Sequence, residues 1–290
     1  MKYLFYFFIT VSCTITACLP PPIDVDVEPA PPRLCIASQV FGNSGIVVGL
    51  TRSYSPLEGS VNDDSTGQDL LERLLVENAV VTIDYSGGTD TLYQIAPGIY
   101  TSIVTTLNAG ETYTIRAYDP AYNLNVWAAT TMQSQMEFDT LYPVITRTAQ
   151  DTSVSFKFKL IDNVNSNNYY VVNFVKKVQG DSTFDINNIF AAGSNEVLTE
   201  FELYDDRSFQ NGVLDKEVRL LSANHTDTVA VVVSEITQGY YEFLTAFKRS
   251  SSVFNQLTGE PINYPSNVNG GHGYFTMHRM NATVFDLNQY

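Results

Sequence analysis

The sequence predicts a mostly β protein: an N-terminal immunoglobulin-like β-sandwich followed by a second antiparallel β region carrying one helix. Three observations carry that prediction. From Arg33 onward the chain runs through strand-length segments rich in β-branched and aromatic residues, each closed by turn formers. Its aromatic content is weighted to 18 Tyr and 17 Phe against a single Trp, which suits half-buried pleated surfaces. Helical spacing is confined to two short stretches.

Taken in order, RLCIASQV, GIVVGLTRS, AVVTIDY, DTLYQI, GIYTSIVTT, TYTIRAYD and NVWAATTM read as seven strands. Turns such as Ser86-Gly87-Gly88, Ala96-Pro97-Gly98 and Asn108-Ala109-Gly110 separate them. Seven strands at this spacing suit an immunoglobulin-like sandwich over residues 33–135. Between the second and third strands, GQDLLERLLVENA places Leu70, Leu71, Leu74 and Leu75 on one face of a short helix, which is expected to cover an edge of the sandwich. Cys35, between Leu34 and Ile36, reads as a small buried strand residue. Trp127 lies in an apolar strand, so a core role is expected in preference to an exposed sugar-stacking platform.

Around Glu137 to Tyr142 the pattern relaxes, and residues 136–290 form the second region. In SVSFKFKLID, Val154, Phe156, Phe158 and Leu160 alternate with Ser155, Lys157 and Lys159, the period of a half-buried antiparallel strand. YYVVNFVKKV and DTVAVVVSEI continue the sheet. Near residues 235–254 the period changes: Ile236, Tyr240, Phe243, Leu244 and Phe247 fall at helical spacing, with Ser234 as the expected N-cap. The glycines in PSNVNGGHGYFTMHR then turn the chain into a closing strand. A phosphate cradle would need a helix directly after them, and GYFTMHR has strand character.

Composition bounds the partners. With 16 Lys plus Arg against 31 Asp plus Glu, the 290-residue chain repels polyanions, so no nucleic-acid partner is expected. At the N-terminus, Lys2 precedes the apolar run YLFYFFITV, too short for a mature membrane span. Residues 1–17 therefore read as a signal peptide, and Ile15-Thr16-Ala17-Cys18 as a lipobox with Cys18 the lipidated first mature residue. Cys13 is a poorer second candidate. With Cys13 removed and Cys18 acylated, Cys35 has no disulfide partner. Residues 18–32 carry six of the 12 prolines and read as a stiff tether reaching up to roughly 40 Å at ~3.1 Å per residue.

The lipobox, the proline-rich tether, PGIYTS followed by AGETYTIRAYD, the helical ITQGYYEFLTAF and the ending EPINYPSNVNGGHGYF together resemble a Bacteroidota lipoprotein family, domain of unknown function 4249. YYEFL at 240–244 and SNVNGGHGYF at 266–275 are the most diagnostic pieces. The resemblance covers nearly the whole mature chain and implies an outer-membrane lipoprotein with no established activity, often encoded beside TonB-dependent transporters.

His272 and His278, if the chain between them is extended, stand about 20 Å apart and cannot share a metal. His225 in SANHTD reads as a loop residue, and neither HExxH nor a paired Cys/His set is present. Asp63, Asp64 and Asp69 in NDDSTGQD, and Asp162 in DNVNSNN, depart from the EF-hand pattern and read as solvated loops. There is no GxSxG elbow, and GDSTF at 180–184 lacks a matching downstream DxxH. Asp205-Asp206 and Glu200-Glu202 read as surface charge. The expectation is a non-enzymatic accessory or binding lipoprotein with no cofactor or metal, anchored in the outer membrane through Cys18, working with a TonB-dependent transporter on an unassigned ligand. An extracytoplasmic hydrolase acting on glycan or peptide is the alternative.

Overall fold

A computed structural model describes residues 28–42, 44–55, 73–103, 105–148, 152–163, 166–177, 197–221, 223–250 and 263–290. All seven strands read from the first region are present: β1 (Leu34–Phe41), β2 (Gly45–Arg52), β3 (Val80–Tyr85), β4 (Gly88–Ala96), β5 (Ile99–Ser102), β6 (Thr112–Asp119) and β7 (Leu124–Thr131). They hydrogen-bond in the order β1-β2-β5-β4-β3-β6-β7, each pair antiparallel. All seven contribute to one core that includes Ile36, Leu50, Ile83, Leu92, Tyr100, Ile115 and Val126. A continuous ladder sharing one core must fold over on itself, and β4, bulged between Gln94 and Ala96, is the strand that belongs to both layers.

Tyr113 ties the β5–β6 connection to the sheet. Its hydroxyl donates to the Thr106 carbonyl at 2.9 Å and accepts the Asn108 N–H at 2.8 Å, the corner bond typical of immunoglobulin-like sandwiches. A buried ion pair fixes the opposite side, where Arg52 Nε donates to Asp119 at 2.7 Å with side-chain exposures of 10% and 0%. The Arg52 guanidinium also reaches the Leu75 carbonyl at 3.2 Å and stacks on the Tyr122 ring. Of the helix expected over 67–79, Arg73 and Leu74 are helical and Leu75 bridges to Thr51, while Leu70 and Leu71 lie outside the described residues.

The second region contains β8 (Thr140–Arg147), β9 (Thr152–Ile161), β10 (Tyr169–Lys177), β11 (Val197–Asp205), β12 (Val213–Leu220), β13 (Thr228–Ile236), a helix α1 (Gln238–Ser250), β14 (His272–Tyr274) and β15 (Asn281–Asp286). Sheets β12-β9-β8 and β11-β10-β13-β15 face each other across Val154, Phe156, Phe158, Phe174, Val231 and Phe285. Phe156 is the centre of that core, with ring centroids 5.9 Å from Phe174 and 5.3 Å from Phe285. Central β13 is buried on both faces, which is why its sequence runs apolar without alternation. The strands absent from the sequence reading are β8, β11, β12 and β15. In β8, Pro143 interrupts the pattern on an edge strand, and β12 exposes Asp215, Glu217 and Arg219 on its edge.

Two expectations are corrected. Ser234 does not cap the helix; it is buried inside β13, and Thr237 takes the role, its Oγ1 accepting the Tyr240 N–H at 3.3 Å. Trp127 is not in the core. Val126 and Ala128 take the inward positions of β7, so the pleat turns the indole outward and leaves it 43% exposed.

The C-terminal segment rejoins the first sandwich. β14 pairs in parallel with β1, Cys35 opposite His272, while the Asn269 N–H donates to the Trp127 carbonyl of β7 at 2.8 Å. Phe275 and Met277 are fully buried in the first core. One segment thus bonds the two open edges of the sandwich and brings it close to a closed barrel. The glycines turn the chain as the sequence suggested, but the closing strand expected over GYFTMHR ends at Tyr274, and residues 275–280 run on without strand pairing. Gly270 and Gly273 have φ of 82° and 89°, and a Cβ at Gly273 would lie 2.1 Å from the Ile36 carbonyl oxygen. Helix α1 links this segment to the second sandwich: Tyr241 packs on Tyr169 of β10, and Tyr240 and Phe243 pack on Tyr274. No described helix is long and apolar enough to cross a membrane.

Candidate functional site

At one end of the second sandwich, the loop leaving β9 and the turn between β11 and β12 enclose a pocket of about 490 Å³. Asp162, Ser166 and Asn167 line it from the first, and Asp206, Phe209, Asn211 and Gly212 from the second. Sequence dictates the local folding. The Asp205 carboxylate accepts the Arg207 N–H at 3.2 Å and starts a one-turn 3-10 helix over Asp206–Ser208. Asn211 and Gly212, with φ of 53° and 76°, then reverse the chain into β12. The Gly212 carbonyl accepts the Asp162 N–H at 2.8 Å and joins the two walls.

A polar network ties the lining residues to the strands behind them. Tyr170 donates its hydroxyl to Asp162, and Phe209 tilts against the Tyr170 ring at 5.4 Å. The Asn168 N–H donates to Asp206 Oδ1 at 2.9 Å, and its side-chain amide donates to Glu235 Oε1 at 2.7 Å. Burial pushes the Glu235 carboxyl above the usual carboxylate range; the Asn168 bond opposes this and the nearby Asp162 charge adds to it. Burial, and then the bond to Asp162, raise the Tyr170 phenol so that it stays a hydrogen-bond donor. Among the described residues, no Lys or Arg lines the pocket. It offers carboxylate and amide oxygens with one aromatic edge, so it favours hydrogen-bond donors and cations over anions.

The residues weighed from sequence are scattered rather than gathered. Asp162 lines this pocket, and Asp206, expected as surface charge, does too. Asp205, also expected at the surface, is buried against Arg207, with Nε to Oδ2 at 2.9 Å. Glu202 pairs with Lys248 of α1 at 2.9 Å. His272 is exposed in β14 beside Cys35, whose thiol burial pushes up, with the Thr51 bond opposing; it is held protonated rather than activated. His278 stacks on Tyr240 at 5.6 Å, and its Nδ1 lies 3.2 Å from Thr276 Oγ1. Burial lowers its pKa to about 4. His225 is in a turn. Cys18, Asp63, Asp64, Asp69 and the GDSTF stretch lie outside the described residues. Among the described residues, no three His, Cys, Asp or Glu side chains converge as a metal site. Glu235 was missed because it ends an apolar strand; an acid closing such a run is the signal that marks it.

A family model described as domain of unknown function (DUF4249) matches residues 21–281, which includes the first sandwich, the segment that closes it and the second sandwich up to the start of β15. The chain belongs to the DUF4249 family. Comparison with curated proteins gave no match. The pocket and the β14 closure of this DUF4249 protein both fall within the matched span.

Proposed function

We propose that this DUF4249 protein is a lipid-anchored outer-membrane lipoprotein, exposed at the cell surface, that serves as a non-enzymatic binding or accessory subunit of a TonB-dependent transporter. One observation carries the reading. Residues 1–17, which read as an export leader before Cys18, and a proline-rich stretch precede two β-sandwich cores in which, among the described residues, buried charged groups are engaged in structural bonds such as Arg52–Asp119 and Lys176–Asp227. A body of that kind presents surfaces rather than an assembled reactive set, and the acidic chain needs a lipid to stay at an anionic membrane.

Two measurements test it. Cys18→Ser is expected to release the protein from membranes and abolish labelling by a fatty-acid probe; a variant that stays bound and labelled sinks the anchor. Purification of the wild type from solubilised outer membranes is expected to recover a transporter in stoichiometric amount, and recovery of the free monomer counts against the partnership. The pocket favours one second reading, an extracytoplasmic hydrolase of glycan or peptide, because burial raises the pKa of Glu235 and the Asp162 side chain lies near it. Turnover that vanishes in Glu235→Gln would establish that reading.

A further inference from the structure

We propose that the outward face of β3, β6 and β7 is a platform for a neutral glycan chain, with Trp127 and Tyr118 as its stacking rings. Strand register builds the platform. Tyr118 pairs with Asn125, and two residues along Arg116 pairs with Trp127, whose far side bridges to Asn269. Directly paired residues share a face. The alternate positions Ile115, Ala117, Val126 and Ala128 fill the core, so the rings and their polar neighbours all point outward. Trp127 and Tyr118 are therefore diagonal neighbours on one sheet face, 43% and 41% exposed.

The chemistry of that surface selects its ligand. A pyranose ring presents an apolar face of C–H groups and a rim of hydroxyls, so it is recognised by an aromatic ring with planar hydrogen-bonding groups at its edges. Here Arg116, held by Asp84 through a 2.9 Å bond from Nε, lies directly beside the indole, with Asn125 and Asn269 close by. The carboxylate neutralises the guanidinium, and the chain as a whole carries a formal charge of −15, so an anionic polymer is disfavoured. A protein partner would want a broad contiguous apolar centre; exposed Val80 flanks Tyr118 on β3, but Thr82, Arg116 and Asn125 make the rest of this face polar. An open sheet face with two rings on it suits an extended chain of neutral hexoses rather than a single enclosed sugar. This inference adds a ligand class to the binding role proposed above and does not depend on lipid at Cys18.

Trp127 is the chain's one tryptophan, so intrinsic emission reads the platform directly. The full-length protein, in a detergent without a sugar headgroup, would be titrated with neutral hexa-oligosaccharides of glucose, galactose and mannose. We expect a saturable change in emission with at least one of them. In gel retardation by the matching polysaccharide, Trp127→Ala is expected to weaken binding roughly tenfold or more, and Tyr118→Ala several-fold, with thermal stability unchanged. Trp127→Phe should retain most of the affinity. Emission unmoved by every oligosaccharide up to about 10 mM overturns the proposal, as does equal retardation of wild type and Trp127→Ala. A protein partner that is lost in Trp127→Ala, with no glycan response in the wild type, also overturns it and assigns the face to that partner. Cys18→Ser keeps the glycan response in either case, so failure of the anchor and failure of the platform read out separately.

Discussion

Packing of His278 beneath Tyr240 leaves its imidazole neutral far below the range of a free histidine, with a pKa of about 4. The sign of the linkage follows. Between an unfolded value near 6.5 and the folded value, the unfolded chain binds the proton and the folded chain does not, so stability is complete above about 6.5 and is lost as pH falls towards 4. At ~1.4 kcal/mol per unit of displacement, this group's loss is on the order of 3 kcal/mol. Urea unfolding of wild type and His278→Asn at several pH values between 4 and 7 should show the variant with the shallower dependence; equal slopes would place the titration elsewhere. Glu111 acts in the same direction. Hydrogen bonds from Ser86, Asn108 and Tyr113 hold its pKa at about 2, so its contribution is present above the usual carboxylate range and fades as pH falls towards 2. Tyr113→Phe removes the partner of Thr106 and Asn108 and should cost about 1–3 kcal/mol by chemical denaturation.

Elements were legible where one face is buried and the other wet. β6 reads TYTIRAYD with Tyr113, Ile115 and Ala117 inward, and β9 reads SVSFKFKLI with Val154, Phe156, Phe158 and Leu160 inward. Legibility failed where burial is nearly absent, whereas β13, apolar on both faces, was still read from its unbroken β-branched run. β15 has a single fully inward residue, Phe285, and β12 is a charged edge, so neither shows a clear apolar period. In β7 both registers contain apolar residues, and the wrong one was assigned to the core, which misplaced Trp127. The most exacting element is β14. A Cβ at Gly271 would lie 2.3 Å from the Leu34 carbonyl oxygen, and one at Gly273 would meet Ile36 at an unfavourable φ. Gly273→Ala should therefore lower stability by more than about 2 kcal/mol and increase amide exchange in β1, whereas Gly110→Ala, with open space around its Cβ, should be milder.

At the scale of the whole molecule, both cores depend on the final residues. Phe275 and Met277 complete the first core, and Phe285 and Leu287 complete the second. A chain ending at residue 262 should fail to give a cooperative unfolding transition, and a fragment ending near residue 135 should bind hydrophobic dyes because its β1 and β7 edges stay open. The buried Arg52–Asp119 pair is a second global constraint. Asp119→Ala strands a buried guanidinium and should cost about 3–5 kcal/mol, seen as a lower denaturation midpoint at unchanged slope.

By itself the sequence determined a β-rich chain with an immunoglobulin-like beginning, one helix and a glycine turn near the end, because local propensity and the period of side-chain burial are properties of neighbouring residues. Only the tertiary structure decided that residues 267–277 return to close the first sandwich, that Asp162 and Asp206 meet around one pocket near Glu235, and that the lone tryptophan faces water. Each of these joins positions far apart along the chain, or chooses between two faces of one strand. Such choices are made by packing against distant partners, and no short window of sequence carries them.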